Sequence, residues 1–193
     1  GITNLGQAAL GYAFLPARLT GPNPEGLLHW DRLNKERFSR REPPVPIVGG
    51  VDGHGHFTYR RSLGTVRTHL WAPEKQQEPD ADRHAILRAL RAGRSFLAND
   101  ALGDARGFTF HVRGREQEYP RDVADVQGPA VITVHLPRRA DIRIMRDGAV
   151  VHRTVDKNVV FEAVQPGTYR CEVDLPYFGR SRPWIFSNAV HVR

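Results

Sequence analysis

The sequence has a single cysteine, Cys171, in 193 residues, which excludes an internal disulfide and any cysteine-clustered zinc site. It contains no apolar run near the roughly 18 residues that a membrane-spanning helix requires. No basic leader precedes the apolar residues of Gly1–Thr20, so no signal peptide is legible in that stretch. Lysine is scarce. Of 28 basic residues only Lys35, Lys75 and Lys157 are lysines and the rest are arginines, a skew that suits a GC-rich bacterial genome. Runs of like charge are missing too. The formal charge of +7 is dispersed in pairs such as Arg40-Arg41, Arg60-Arg61 and Arg138-Arg139, which argues against a nucleic-acid partner. What remains, 25% charged and 40% hydrophobic residues, is ordinary for a globular chain, and 18 Gly with 14 Pro point to many turns.

The first hundred residues read as helix, strand and glycine-rich loop. Asn23-Pro24-Glu25 is a helix start, because Asn caps, Pro fits the first helical position and Glu favours the positive end of the dipole. Leu27, Trp30 and Leu33 then form an apolar stripe, with Asp31, Arg32 and Lys35 expected on other faces, and Pro43-Pro44 stops the helix. The apolar run at 45–48 predicts a buried strand that opens directly into Gly49-Gly50-Val51-Asp52-Gly53-His54-Gly55-His56. Thr65–Trp71 and Ser95–Ala98 predict two more strands. Between them, 80–92 predicts a helix with Ile86, Leu87 and Leu90 on its buried face and Gly93 at the position after the cap.

Beyond residue 105 the pattern changes to period-two alternation: Phe108, Phe110 and Val112; Ile132, Val134 and Leu136; Tyr169, Cys171, Val173 and Leu175. Asp147-Gly148 predicts the tight turn of a hairpin over 141–155. About seven short strands without intervening helices read as a small antiparallel β-sandwich. The expected division is therefore an α/β region over 1–104 and a β-sandwich over 105–193.

Chemistry is most legible in the glycine-flanked loop. An Asp and a His two residues apart at a strand mouth, Asp52 and His54, combine a hard oxygen with an imidazole suited to zinc, iron or manganese. Alone the pair is a weak signal, since Asp52 capping a turn beside an exposed His54 is the commoner arrangement. Arg60, Arg61 and Arg67 could hold a substrate phosphate as planar forks, with a solvated loop as the equal alternative. His69, on the strand that follows, is expected to be simply hydrogen-bonded. His111, His135, His152 and His191 are expected on solvent faces, Cys171 in the core, and Trp184 and Phe186 in packing rather than in a carbohydrate platform.

Read in order, Leu28–Leu33, Gly49–Gly55, Leu63–Thr68, Ala85–Phe96 and Pro183–Asn188 make a chain that resembles the C-terminal part of PHP-domain metal-dependent phosphoesterases, in particular the CehA/McbA-like metallohydrolases. The resemblance implies an α+β chain, the incomplete C-terminal α/β portion of a PHP-type (β/α)7 barrel followed by a small antiparallel β-sandwich. It implies Asp52 and His54 as metal ligands, with Val51 replacing the small hydroxyl residue usual in the motif. It leaves His56 as an alternative ligand or substrate contact, and Arg67 as a substrate contact. It implies a divalent metal (zinc, manganese or iron) in the complete parent protein, whose substrate would be a small phosphoester or ester. The family's opening H-x-H strand has no counterpart here. The expectation is thus a fragment that needs the missing N-terminal part of the same protein, binds metal poorly alone and catalyses nothing alone. A homodimer covering an unpaired sheet edge, and a non-catalytic β-sandwich binding or assembly module, are the alternatives.

Overall fold

The computed structural model describes residues 21–50, 64–71, 78–120 and 124–193. Helix α1, Pro24–Ser39, begins where expected: the Asn23 side chain accepts the Glu25 N–H at 3.0 Å, and Pro24 and Glu25 fill the first turn. Its buried face is Trp30, Asp31 and Asn34, so the aspartate expected to face solvent is the one turned inward.

Strand β1 (Val66–Leu70) leads to helix α2 (Pro79–Arg91) and strand β2 (Ser95–Asn99). Helix α2 closes with two capping bonds, Arg94 N–H to the Ala89 carbonyl at 2.9 Å and Gly93 N–H to the Leu90 carbonyl at 3.1 Å. It buries Ala85 and Ala89, half-buries Leu90 and leaves Ile86 and Leu87 exposed, so two of the three residues expected on the buried face lie outside it.

The expected (β/α)7-barrel portion is not what forms. Strands joined by a crossover helix in such a barrel run parallel. Here β1 and β2 pair antiparallel, Val66 opposite Asn99, although α2 connects them. Strand β2 then pairs antiparallel with β9 (Arg180–Ser187) from the far end of the chain. No strand forms over 45–50, where one was expected. The architecture is a β-rich, predominantly antiparallel sheet with open edges, on which α1 and α2 lie.

Its spine is a long hairpin, β6 (Ala130–Arg146) and β7 (Ala149–Ala163). The turn between them, Asp147-Gly148, has φ of +51° and +85°, the two positive angles of a type I′ turn. The register of β6 against β7 shifts between His135 and Ala140, across Pro137, which has no N–H to give a ladder. Before this break β6 pairs with β3 (Thr109–Arg113), and after it with β8 (Gly167–Tyr177). One strand thus serves two layers, a sandwich-like arrangement. The short strands β4 (Glu118–Tyr119), β5 (Asp125–Val126) and β10 (Val190–Val192) complete it. The shared core contains Phe108, Phe110, Ile132, Ile142, Ile144 and Trp184 and is continuous with Phe96 and Ala98 of β2. Each fully buried large apolar side chain adds about 1.5–3 kcal/mol.

The alternation of 169–175 places Tyr169, Cys171, Val173 and Leu175 in this core as expected, and burial pushes the Cys171 thiol far above its usual range. The opposite face of β8 was expected to meet solvent. Instead Arg170, Glu172 and Asp174 are buried as well, beneath α1 and beside Arg143 of β6. His191, also expected at the surface, is fully buried. Its Nδ1 lies 3.0 Å from the Thr168 hydroxyl, Phe38 packs edge-on against its ring, and desolvation with the nearby Arg193 charge pushes its pKa down to about 4.

Candidate functional site

Residues 45–49 run without a strand ladder but are held almost as one by side chains. Trp30 donates its indole N–H to the Val45 carbonyl at 2.7 Å, and the Asn34 Oδ1 accepts the Val45 N–H at 2.7 Å. Asn188 accepts the Ile47 N–H at 2.7 Å and donates through Nδ2 to the Ile47 carbonyl at 3.3 Å and to the Ser95 carbonyl and hydroxyl at 3.0 and 2.8 Å. The Gly49 N–H donates to the Thr68 hydroxyl at 2.9 Å, and that hydroxyl returns a bond to the Gly49 carbonyl at 3.3 Å. A chain segment whose N–H and C=O groups are met this way is fixed without pairing to a neighbour.

This anchoring shapes a cleft of about 420 Å³ along β1, β2 and β9. Its side-chain walls are Pro22, Val48, Val66, Leu97, Trp184 and Phe186, with Gly49 and Gly50 on the rim. Asn99 is the one polar side chain among the described lining residues, apart from the Trp184 indole N–H, which is committed to the Gly103 carbonyl at 2.8 Å. Gly21 lies against Pro183, so close that a Cβ there would come within 2.6 Å of the proline Cγ. The chain therefore joins the described fold in the wall of this cleft. Trp184 and Phe186 act as packing and as wall, in line with the sequence reading.

Asp52, His54 and His56 lie outside the described residues. The structure fixes the points the intervening chain leaves from and returns to. Gly49 sits beside Val66, a Cβ on it lying 3.1 Å from both Val66 Cγ1 and Leu97 Cδ2.

Arg67 is elsewhere. Residues alternate across a strand, so Thr68 meets Gly49 on one face of β1 while Arg67 and His69 occupy the other. There they border a second cleft, about 340 Å³, with Asp100, Asp104 and Arg106. The Asp100 Oδ2 accepts from Arg67 Nη1 at 3.2 Å and lies 3.1 Å from His69 Nε2, and the imidazole stacks on Phe96 at 4.7 Å between centroids. His69 is thus hydrogen-bonded as expected. Arg106 grips Asp104 through Nε and Nη2, and these hydrogen bonds hold the Asp104 carboxyl down to about 2.

A buried charge ladder escaped the sequence reading. Arg170, 3% exposed at its side chain, donates to both Asp31 oxygens at 2.7 and 2.8 Å and to Glu172 at 2.5 Å. Arg143 continues it to Glu172 at 2.9 Å and bidentately to Asp174 at 3.0 and 2.9 Å. Burial opposes the charge on both arginines, yet these partners hold each guanidinium above its usual pKa. The legible signal was the alternation Arg170-x-Glu172-x-Asp174 facing Arg143, which reads equally well as a solvated strand face.

No protein-family model matches the chain, and no protein of curated function matches it. Among solved structures, the soluble domain of PmoD from a Methylocystis species is similar over 45% of this chain and 90% of its own, at 13% identity and a TM-score of 0.33. A likeness of that degree bears on neither fold nor function.

Proposed function

We propose that the β-rich region is a non-catalytic binding and assembly module, and that its working surface is the apolar cleft at Gly49–Gly50. The carrying observation is the chemistry of the walls: the described lining residues offer aliphatic and aromatic contact with one amide, Asn99, and no acid or base. Such a surface takes an apolar stretch of polypeptide by burial and backbone bonding rather than by acid–base chemistry. The partner that fits is the part of the same protein lying N-terminal to Gly21, because the chain joins the fold in the cleft wall and is tethered there. Val48, 63% exposed at the cleft, makes few contacts within the module. Val48→Asp is therefore expected to leave the unfolding midpoint unchanged while weakening binding of the upstream polypeptide by about tenfold or more, since a charge must be desolvated in an apolar wall. Calorimetric titration of the upstream polypeptide into a chain shortened to begin at Gly21 reads this, and equal affinity for both proteins would refute the cleft as the binding surface.

A second reading is favoured by the anchoring of Gly49 to Thr68. A fixed take-off point is what a loop needs if Asp52 and His54 are to supply ligands to a divalent metal of a larger hydrolase, resembling the PHP-type phosphoesterases, with His56 as an alternative ligand. In that reading the metal would activate water and polarise a phosphoryl or carbonyl oxygen. Two ligands of several give weak binding. Zinc or manganese titrated into this chain alone should show no stoichiometric micromolar binding. Tight one-to-one uptake lost in Asp52→Ala would show that the chain carries a complete metal site.

A further inference from the structure

The cleft between β1 and the segment after β2 has an electrostatic design unlike that of the apolar one. Two guanidiniums, Arg67 and Arg106, stand at its border, 56% and 83% exposed, and each is tied down at one end only. Arg67 commits Nη1 to Asp100, and Arg106 commits Nε and Nη2 to Asp104. The remaining nitrogens, Arg67 Nε and Nη2 and Arg106 Nη1, have no partner among the described residues.

The two carboxylates play different parts. Asp100 is nine-tenths buried, and its Oδ1 has no partner among the described residues while Oδ2 serves both Arg67 and His69. It is an internal counter-charge that orients the guanidinium and, with the Phe96 stack, fixes the imidazole plane. Asp104 is a surface residue held by its neighbour two positions on, and an exposed ion pair of that kind is readily exchanged for another anion.

We infer that Arg67, His69 and Arg106 form a binding site for a tetrahedral oxyanion of the phosphate class, with Asp100 as the fixed orienting group and Asp104 as an internal competitor. Guanidinium forks match such an anion's oxygens in pairs, and the His69 imidazole lines the cleft beside them. The site lies across the sheet from the Gly49–Gly50 cleft and needs no residue of it.

The test is a titration of the whole chain with inorganic phosphate at low ionic strength, read at the His69 ring protons by NMR. A saturable shift is expected, weakened about tenfold by Arg67→Gln and by Arg106→Gln and unchanged in Arg88→Gln, an exposed cation of α2. Asp104→Asn is expected to tighten binding several-fold, since it removes the competing charge. No saturable shift, or equal weakening in Arg88→Gln, would reduce the cleft to general surface attraction. Weaker phosphate binding in Asp104→Asn, or zinc uptake abolished by it, would overturn the proposal in favour of a cation site.

Discussion

Arg170→Met is expected to lower the unfolding free energy by about 3–5 kcal/mol, the range for removing one partner from a buried ion pair. Methionine fills much of the volume, so the loss is electrostatic: Asp31 stays buried without its guanidinium, Glu172 keeps only Arg143, and the α1 contact to β8 loses both Arg170–Asp31 hydrogen bonds. Trp30, whose ring lies 5.6 Å from the Arg170 guanidinium carbon, loses a cation–π neighbour as well. Urea unfolding measures the cost. Replacing Asp31, Arg170 and Glu172 together with apolar residues of similar size should recover most of it, because desolvation of the ladder offsets much of its attraction. A cost under about 1 kcal/mol for Arg170→Met would mean that the ladder is hydrated and that α1 is held by other contacts.

The second large effect is expected at Asn188. Its amide hydrogen-bonds both to the 45–49 segment and to β2. Asn188→Ala leaves the Ile47 N–H and the buried Ser95 hydroxyl without that partner, at about 1–3 kcal/mol for each orphaned group and roughly 2–6 kcal/mol together. The distinguishing readout is local. Hydrogen exchange at Ile47 and Gly49 should accelerate by orders of magnitude, while the amides of β6 and β8 slow or quicken only with global stability. Uniform acceleration would show that Asn188 supports the core rather than the cleft margin.

How much of this was legible follows from what each signal encodes. Periodicity and turn chemistry act locally, so the Asn23 cap, the Asp147-Gly148 turn and the inward set of Phe110, Ile132, Val134 and Cys171 appear in the structure as read. Strand pairing over long sequence separations has no local signature. Nothing in Ser95–Ala98 reveals that it pairs with Ile185–Ser187, and a helix between two strands reads as α/β grammar although these strands run antiparallel. The face of a strand is legible only when one side meets solvent. Arg170, Glu172 and Asp174 are charged and buried because α1 covers them with a complementary aspartate, a match made across 139 residues. Ile86 and Leu87 failed the other way. Helix α2 turns the small side chains of Ala85 and Ala89 inward and leaves the larger Ile86 and Leu87 exposed. At the candidate site, Arg67 was legible as a charged residue with reach, but not that β1 turns it away from Gly49.

The proposed module function requires that the apolar surface bordered by Val48, Val66 and Leu97 receive polypeptide from upstream of Gly21. The decisive experiment is methyl chemical-shift mapping on a chain shortened to begin at Gly21, with the upstream polypeptide added. The account predicts shifts concentrated on the Val48, Val66 and Leu97 methyls and absent in Val48→Asp. Shifts confined to the Arg67–Arg106 side of the sheet, or no methyl response at saturating partner, would contradict it.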